Sequence, residues 1–112
     1  MTSSASERRA VELERKLAQI HLLVFDVDGT LTDGHVVYQG GEETCVFHVH
    51  DGQGIVWLLE AGLVVAWISG RGSDAVVRRA RELGVEELQL RVADKASAMS
   101  ELQRRRNRWA FL

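Results

Sequence analysis

The chain has 112 residues, of which 46% are hydrophobic, and this length and composition suit one small domain with a core of its own. Its 14 basic and 16 acidic residues are mixed along the chain, apart from the run Arg104-Arg105-Arg106, and the formal net charge is −2. This balance excludes a broad basic face, so we expect no nucleic-acid partner.

The sequence also predicts the compartment of the protein. Cys45 is the single cysteine, so an internal disulfide is excluded, and we expect it to be a strand residue rather than a nucleophile. The first residues lack the apolar segment of a secretion signal, and no apolar run approaches the roughly 20 residues of a membrane helix. We therefore expect a cytoplasmic protein with no membrane partner.

The first part of the chain predicts a helix, a buried strand and a hairpin. Ser4-Ala5-Ser6-Glu7 has the form of a capping box, and apolar residues near helical spacing follow it, which indicates an amphipathic helix. Leu22 to Asp26 is a continuous apolar run that suits a central parallel strand. Val36 to Gln39 and Glu42 to Val49 flank the turn Gly40-Gly41, so we expect a projecting β-hairpin.

Helices and strands alternate through the rest of the chain. Asp51 is the predicted cap of a helix that ends near Ala61, and Ser73 and Asp74 start another helix that ends at Gly84. The remaining predicted elements are strands at Leu63 to Ile68, Leu88 to Leu90 and Trp109 to Leu112, and a helix from Lys95 to Arg106. This order predicts one α/β domain over residues 1–112, with a Rossmann-like, mostly parallel sheet flanked by helices, and no second domain. Ligands should bind beyond the carboxyl ends of the strands.

Two carboxylates follow the first predicted strand, in the sequence Asp26-Val27-Asp28-Gly29-Thr30. Because side chains alternate along a strand, Asp26 and Asp28 should leave the sheet edge on the same side. Asp26 could then attack phosphorus as the nucleophile while Asp28 moves a proton as acid and base. Both carboxylates repel phosphate, so this chemistry requires a divalent cation, usually Mg²⁺, near Asp26 and Asp28.

Other candidate site residues follow the second buried strand and precede the last helix. Ser69 is placed to donate a hydrogen bond to a phosphoryl oxygen, and Gly70 leaves room for close approach of the backbone. Arg71 could bind substrate phosphate or carboxylate, with an ordinary surface arginine as the alternative. Lys95 could supply the fixed positive charge that stabilises the transferring phosphoryl group.

The D-x-D-G-T sequence at residues 26–30 resembles the first motif of the haloacid dehalogenase-like (HAD) phosphohydrolases. Residues 48–55, Ile68-Ser69-Gly70-Arg71 and Asp94-Lys95 resemble the small capless branch typified by 3-deoxy-D-manno-octulosonate 8-phosphate phosphatase. The resemblance implies a Mg²⁺-dependent phosphomonoesterase for a small sugar phosphate in lipopolysaccharide precursor synthesis, acting through an aspartyl-phosphate. It further implies that the Asp26 carboxylate and the Asp28 main-chain carbonyl bind Mg²⁺, and that the protein is a homotetramer.

The sequence departs from this family pattern in two places. His50 stands where the branch often has arginine. His48 and His50 lie on one side of the predicted strand and could suggest a transition-metal site, but no third ligand is evident, so surface or hairpin-packing histidines are favoured. The family's fourth motif, a glycine followed by paired aspartates, comes after a strand like Trp109 to Leu112, so we expect the domain to be incomplete at its carboxyl end.

Two alternatives remain open on sequence grounds. The first keeps the fold with another substrate, as in the phosphatase-like part of acylneuraminate cytidylyltransferases or a phenylphosphate carboxylase subunit. The second is a non-catalytic homologue that binds metal poorly.

Overall fold

The computed structural model describes residues 4–105 and 109–111 of the chain. The helices are α1 (Ala5–Leu17), α2 (Val49–Glu60), α3 (Asp74–Leu83) and α4 (Lys95–Arg105). The strands are β1 (Leu22–Asp26), β2 (Val37–Gln39), β3 (Glu42–Thr44), β4 (Val64–Ile68), β5 (Glu87–Gln89) and β6 (Trp109–Phe111). The predicted ends of the last helix at Arg106 and of the last strand at Leu112 lie outside the described residues.

Four strands form one parallel sheet in the order β5-β4-β1-β6, so β1 lies inside the sheet between β4 and β6. Asp26, the last residue of β1, pairs in register with Ile68, the last residue of β4. Strands β2 and β3 form a separate antiparallel hairpin. The predicted α/β architecture is therefore confirmed, and the carboxyl ends of β1 and β4 meet at one edge of the sheet.

The sheet is buried on both faces, which explains why its central strands are continuous apolar runs. On one face Val65 and Trp67 of β4 pack with residues of α2 and α3. On the other face Ala66 and Ile68 pack with Leu102 of α4. The edge that carries the candidate site residues is therefore held by packing on both sides.

The termini of α1 and α3 follow the sequence signals. Ser4 caps α1 and accepts a hydrogen bond from the Glu7 N–H at 3.1 Å, as the capping box predicts. Ser73 caps α3, and Gly84 ends it in the left-handed conformation, with φ of 86°.

None of the α1 residues is buried, so its apolar stripe does not join the core of the described structure. No described helix meets the length and apolarity of a membrane span.

The hairpin and α2 differ from prediction at their junction. β3 ends at Thr44 rather than Val49, and α2 begins at Val49, so the prediction that Asp51 caps this helix was wrong. His48 is the cap instead, because its Nδ1 accepts a hydrogen bond from the His50 N–H at 3.0 Å. An imidazole with a free ring nitrogen can therefore do what an aspartate does at a helix start.

This junction also corrects the interpretation of the two histidines and of Cys45. His48 and His50 do not lie on a strand; their rings contact each other at the start of α2, with centroids 4.8 Å apart. Cys45 lies just after β3 rather than within a strand, and its Sγ is 3.6 Å from the Ser73 Oγ. Among the described residues, no cluster of three or more His, Cys, Asp or Glu side chains could hold a metal ion.

Candidate active site

Asp26 and Lys95 meet at the carboxyl edge of the sheet. Asp26 ends β1 and Lys95 is the first residue of α4, and the Lys95 Nζ donates a hydrogen bond to the Asp26 Oδ1 at 2.6 Å. The side chains are 37% exposed for Lys95 and 24% exposed for Asp26. A carboxylate that is half-buried yet reachable from solvent, with its charge offset by an ammonium group, is suited to meet an anionic substrate.

Asp28 is held by Ser69, which is fully buried. The Ser69 Oγ donates a hydrogen bond to the Asp28 Oδ2 at 2.8 Å and accepts one from the Arg71 N–H at 3.1 Å. A serine hydroxyl carries one proton. Because the Arg71 N–H occupies one side of the Ser69 Oγ, the hydroxyl proton is directed at the Asp28 carboxylate. In this structure Ser69 therefore fixes the orientation of Asp28, and its contact with a phosphoryl oxygen remains a prediction.

The loop that contains Asp28 is closed by backbone hydrogen bonds. The Val27 carbonyl accepts hydrogen bonds from the N–H groups of residues 30–32, at 2.9 to 3.2 Å. The buried Thr32 Oγ1 accepts two more, from the Gly29 N–H at 3.1 Å and from the Gly34 N–H at 3.2 Å. Gly29 has φ of 79°, which only glycine adopts without strain. The motif loop is thus a defined turn.

Arg71 does not point its guanidinium at Asp26 or Asp28. It forms a bidentate ion pair with Glu43 of β3, in which the distances are 2.9 Å from Nε to Oε1 and 2.6 Å from Nη2 to Oε2. The hydrogen bond from Arg71 holds the pKa of Glu43 below its usual range, and the carboxylate of Glu43 raises the pKa of Arg71. For Arg71 to contact the substrate as predicted, its guanidinium would have to leave Glu43 or bind Glu43 and the substrate together.

Glu43 is a residue that the sequence analysis missed. It is separated from Arg71 by 28 residues and lies on the hairpin, whereas Arg71 follows β4. The sequence offers one signal that could have pointed to Glu43. A carboxylate and a guanidinium can pair when the elements that carry them meet at the edge of a sheet.

Gly70 lies beside the backbone of the loop after β5. A methyl group at Gly70 would lie 3.6 Å from the Val92 carbonyl oxygen, which is an ordinary contact. Packing among the described residues therefore does not require glycine at this position, and the predicted phosphate contact of its backbone remains a prediction.

A cleft of about 870 Å³ opens between the hairpin and the start of α3. Its walls are residues 41–45 of the hairpin, the loop 70–74, Ala75, Arg78 and Arg91. His50 lines a different pocket of about 430 Å³ together with Phe25 and Ile55. The first cleft is the one that reaches the loop carrying Ser69 and Arg71.

Asp94, next to Lys95, organises the start of α4. Its carboxylate accepts hydrogen bonds from the Ser97 Oγ at 2.7 Å and the Ser97 N–H at 3.1 Å, and its carbonyl accepts one from the Ala98 N–H at 3.2 Å. These bonds make Asp94 a helix cap that fixes the backbone from which Lys95 extends. The hydrogen bonds from Ser97 lower the pKa of Asp94 from its ordinary value of 3.8.

We expect the Asp94 cap to contribute stability that depends on pH. A pKa that is lower in the folded than in the unfolded state adds stability above the unfolded value, and that stability is lost as the pH falls through the folded pKa. Asparagine also caps helices but does not titrate. The urea unfolding midpoint of wild type should therefore rise relative to that of Asp94→Asn as the pH is raised from about 3 to about 6. A difference between the two proteins that stays constant over this range would contradict the expectation.

No protein-family model matches the sequence. Over 93 residues the chain is 40% identical to 3-deoxy-D-manno-octulosonate 8-phosphate phosphatase from Haemophilus influenzae, covering 82% of this chain and 52% of that protein. The chain spans about half the length of the curated relatives that it matches.

Two solved structures match the fold. The first is the phosphatase of the same name from Moraxella catarrhalis, in complex with magnesium, phosphate and 3-deoxy-D-manno-octulosonate: TM-score 0.82, 37% identity, 89% of this chain and 60% of that one. The second, from Legionella pneumophila, is described as a subfamily III A hydrolase of the HAD superfamily, with TM-score 0.85, 33% identity and coverage of 97% and 63%. The chain is therefore similar to the 3-deoxy-D-manno-octulosonate 8-phosphate phosphatases over 82% of its length, and its fold is that of hydrolases of the haloacid dehalogenase-like superfamily.

Proposed function

We propose that this chain carries the phosphoryl-transfer site of a Mg²⁺-dependent phosphatase that acts on a small acidic sugar phosphate. The observation that carries the proposal is the pairing of Asp26 with Lys95 and of Asp28 with Ser69 at one edge of the parallel sheet. The first candidate substrate is 3-deoxy-D-manno-octulosonate 8-phosphate, because relatives that are 40% identical bear the name of that phosphatase.

Each residue of the site has a role in two successive displacements. An Asp26 oxygen attacks phosphorus, the bond from phosphorus to the sugar oxygen breaks, and Asp28 gives its proton to that oxygen. Asp28 then takes a proton from a water molecule, whose oxygen attacks the aspartyl-phosphate, releasing phosphate and restoring Asp26. Lys95 offsets negative charge beside the nucleophile throughout, and Ser69 keeps the Asp28 carboxyl in place.

The oxygen donors at this edge fit Mg²⁺. Mg²⁺ in phosphoryl-transfer sites is commonly held by one or two carboxylates and completed by water and substrate phosphate. The Asp26 carboxylate would supply that share and, by resemblance, the Asp28 main-chain carbonyl would add a second protein oxygen. When bound, the cation would lower the repulsion between the carboxylates and the incoming phosphate.

We also propose that the chain assembles as a homo-oligomer, with a tetramer as the form that the family resemblance implies. The support lies in the hairpin, where Val37 is 47% exposed and Tyr38 is 71% exposed, although both are large apolar or aromatic side chains. The location in the cytoplasm remains a prediction from the sequence.

The test is phosphate release by the 112-residue chain from 3-deoxy-D-manno-octulosonate 8-phosphate and from a generic aryl phosphate, with Mg²⁺ or with EDTA. We expect turnover that requires Mg²⁺ and that favours the sugar phosphate in kcat/KM. Turnover of both compounds without preference would retain the phosphatase but refute the substrate. A folded chain without turnover in Mg²⁺ would support a non-catalytic role instead.

A further inference from the structure

One link between the hairpin and the candidate active site is an ion pair. Glu43 is the central residue of β3, and its side chain is only 20% exposed. Both of its carboxylate oxygens are engaged by the Arg71 guanidinium, which is 43% exposed. Two parallel hydrogen bonds fix the plane of the guanidinium as well as its position, which a single contact would not do.

The backbone of Arg71 is the next link towards the catalytic carboxylate. Its N–H donates to the Ser69 Oγ at 3.1 Å, and its carbonyl accepts a hydrogen bond from the Arg91 N–H at 3.1 Å. The Ser69 Oγ in turn donates to the Asp28 Oδ2 at 2.8 Å. A continuous series of hydrogen bonds therefore runs from the hairpin to Asp28.

We propose that Glu43 is a positioning residue, which anchors Arg71 so that the loop after β4 keeps the Ser69 hydroxyl directed at Asp28. The proposal rests on the proposed function, since it assigns the acid and base role to Asp28. If Arg71 moves away from Ser69, the hydroxyl loses the N–H that occupies its oxygen, and it becomes free to rotate away from the carboxylate. The hairpin then controls a proton-transfer group that it does not touch.

The ion pair is partly exposed, so its effect should be local rather than global. Partly exposed pairs contribute less than buried ones, and bidentate geometry places this pair at the upper end of that class. The segment Gly70-Arg71 should therefore open more often without the pair, while the Ser69 backbone and the buried strand β4 before it are retained.

The direct test is amide hydrogen exchange in the 112-residue chain, measured by NMR. In Glu43→Gln we expect the Arg71 amide to exchange about fivefold faster, because a partly exposed ion pair that held the loop is lost. The Ser69 amide, which donates to the Gln89 carbonyl at 2.8 Å, should be unchanged. The matched control is Glu42→Gln, the neighbouring carboxylate on β3, which should leave both amides as in wild type.

Two further variants make the result decisive. Exchanging the charges, with Glu43→Arg and Arg71→Glu together, should restore slow exchange of the amide at position 71. Glu43→Asp, which keeps the charge but shortens the reach, should fall between wild type and Glu43→Gln. Unchanged exchange at position 71 in Glu43→Gln, or an equal increase at all amides, would overturn the proposal.

Hydrolysis of an aryl phosphate gives an independent readout. Because Glu43 acts on Asp28 through the loop, Glu43→Gln should lower kcat about fivefold with little change in KM. A change confined to KM would overturn the positioning role. A wild-type chain that hydrolyses nothing would refute the proposed function, and the exchange experiment would still show whether the anchor exists.

Discussion

Asp26→Asn is expected to reduce Mg²⁺-dependent phosphate release by roughly a thousandfold or more, since the loss of a nucleophile removes the covalent route. The amide oxygen that replaces the carboxylate is uncharged and a poor nucleophile towards phosphorus. The substitution also leaves the Lys95 ammonium without the partner that lies 2.6 Å away in wild type. The measurement is the rate of phosphate release from the sugar phosphate and from the aryl phosphate at saturating Mg²⁺.

Two variants in the same loop show whether this loss is specific. Asp28→Asn should reduce turnover by roughly a hundredfold to ten-thousandfold, the range expected for a lost acid and base. Asp33→Asn is the matched control, because Asp33 is exposed and its carboxylate accepts a hydrogen bond from the His35 N–H at 3.0 Å within the turn. If Asp26→Asn kept wild-type turnover, or if Asp33→Asn lost as much, Asp26 would not be the nucleophile.

Trp67→Ala is expected to lower the free energy of unfolding by about 3–5 kcal/mol. Trp67 lies in the middle of the sheet, is fully buried, and stacks on Phe47 with ring centroids 6.2 Å apart. Truncation would remove that contact and open a cavity between the sheet and the helices α2 and α3. Urea unfolding followed by circular dichroism gives the free energy directly.

Trp67→Phe should cost much less than Trp67→Ala. The Trp67 Nε1 has no hydrogen-bond partner among the described residues, and a buried N–H without a partner is unfavourable. Phenylalanine removes that group and keeps a ring against Phe47, so part of the lost packing is offset. Trp57→Ala is the control, because it removes the same type of side chain from a position that is 64% exposed. Its free energy of unfolding should stay within about 0.5 kcal/mol of wild type. Equal losses for Trp67→Phe and Trp67→Ala would contradict the role assigned to the ring.

Local sequence signals were reliable where one element depends on its own residues. The bounds predicted for β1 agree with the structure, because a continuous apolar run ending in aspartate leaves no ambiguity about where the strand stops. Ser73 and Gly84 bound α3 as predicted, since capping hydroxyls and left-handed glycines act on the backbone beside them. The start of α2 was missed because histidine rarely signals a helix cap, and the end of β3 was missed with it.

By itself the sequence determined the α/β fold class, the strand that ends at Asp26 just before Asp28, and the resemblance to the HAD phosphohydrolases. It did not determine which side chains meet. Lys95 reaches Asp26 across 69 positions, and Glu43 reaches Arg71 across 28. Such contacts depend on the strand order β5-β4-β1-β6 and on where the hairpin lies, both of which are set by packing of the whole domain. Only the tertiary structure could therefore show that Arg71 is paired with the hairpin and that Ser69 is bonded to Asp28.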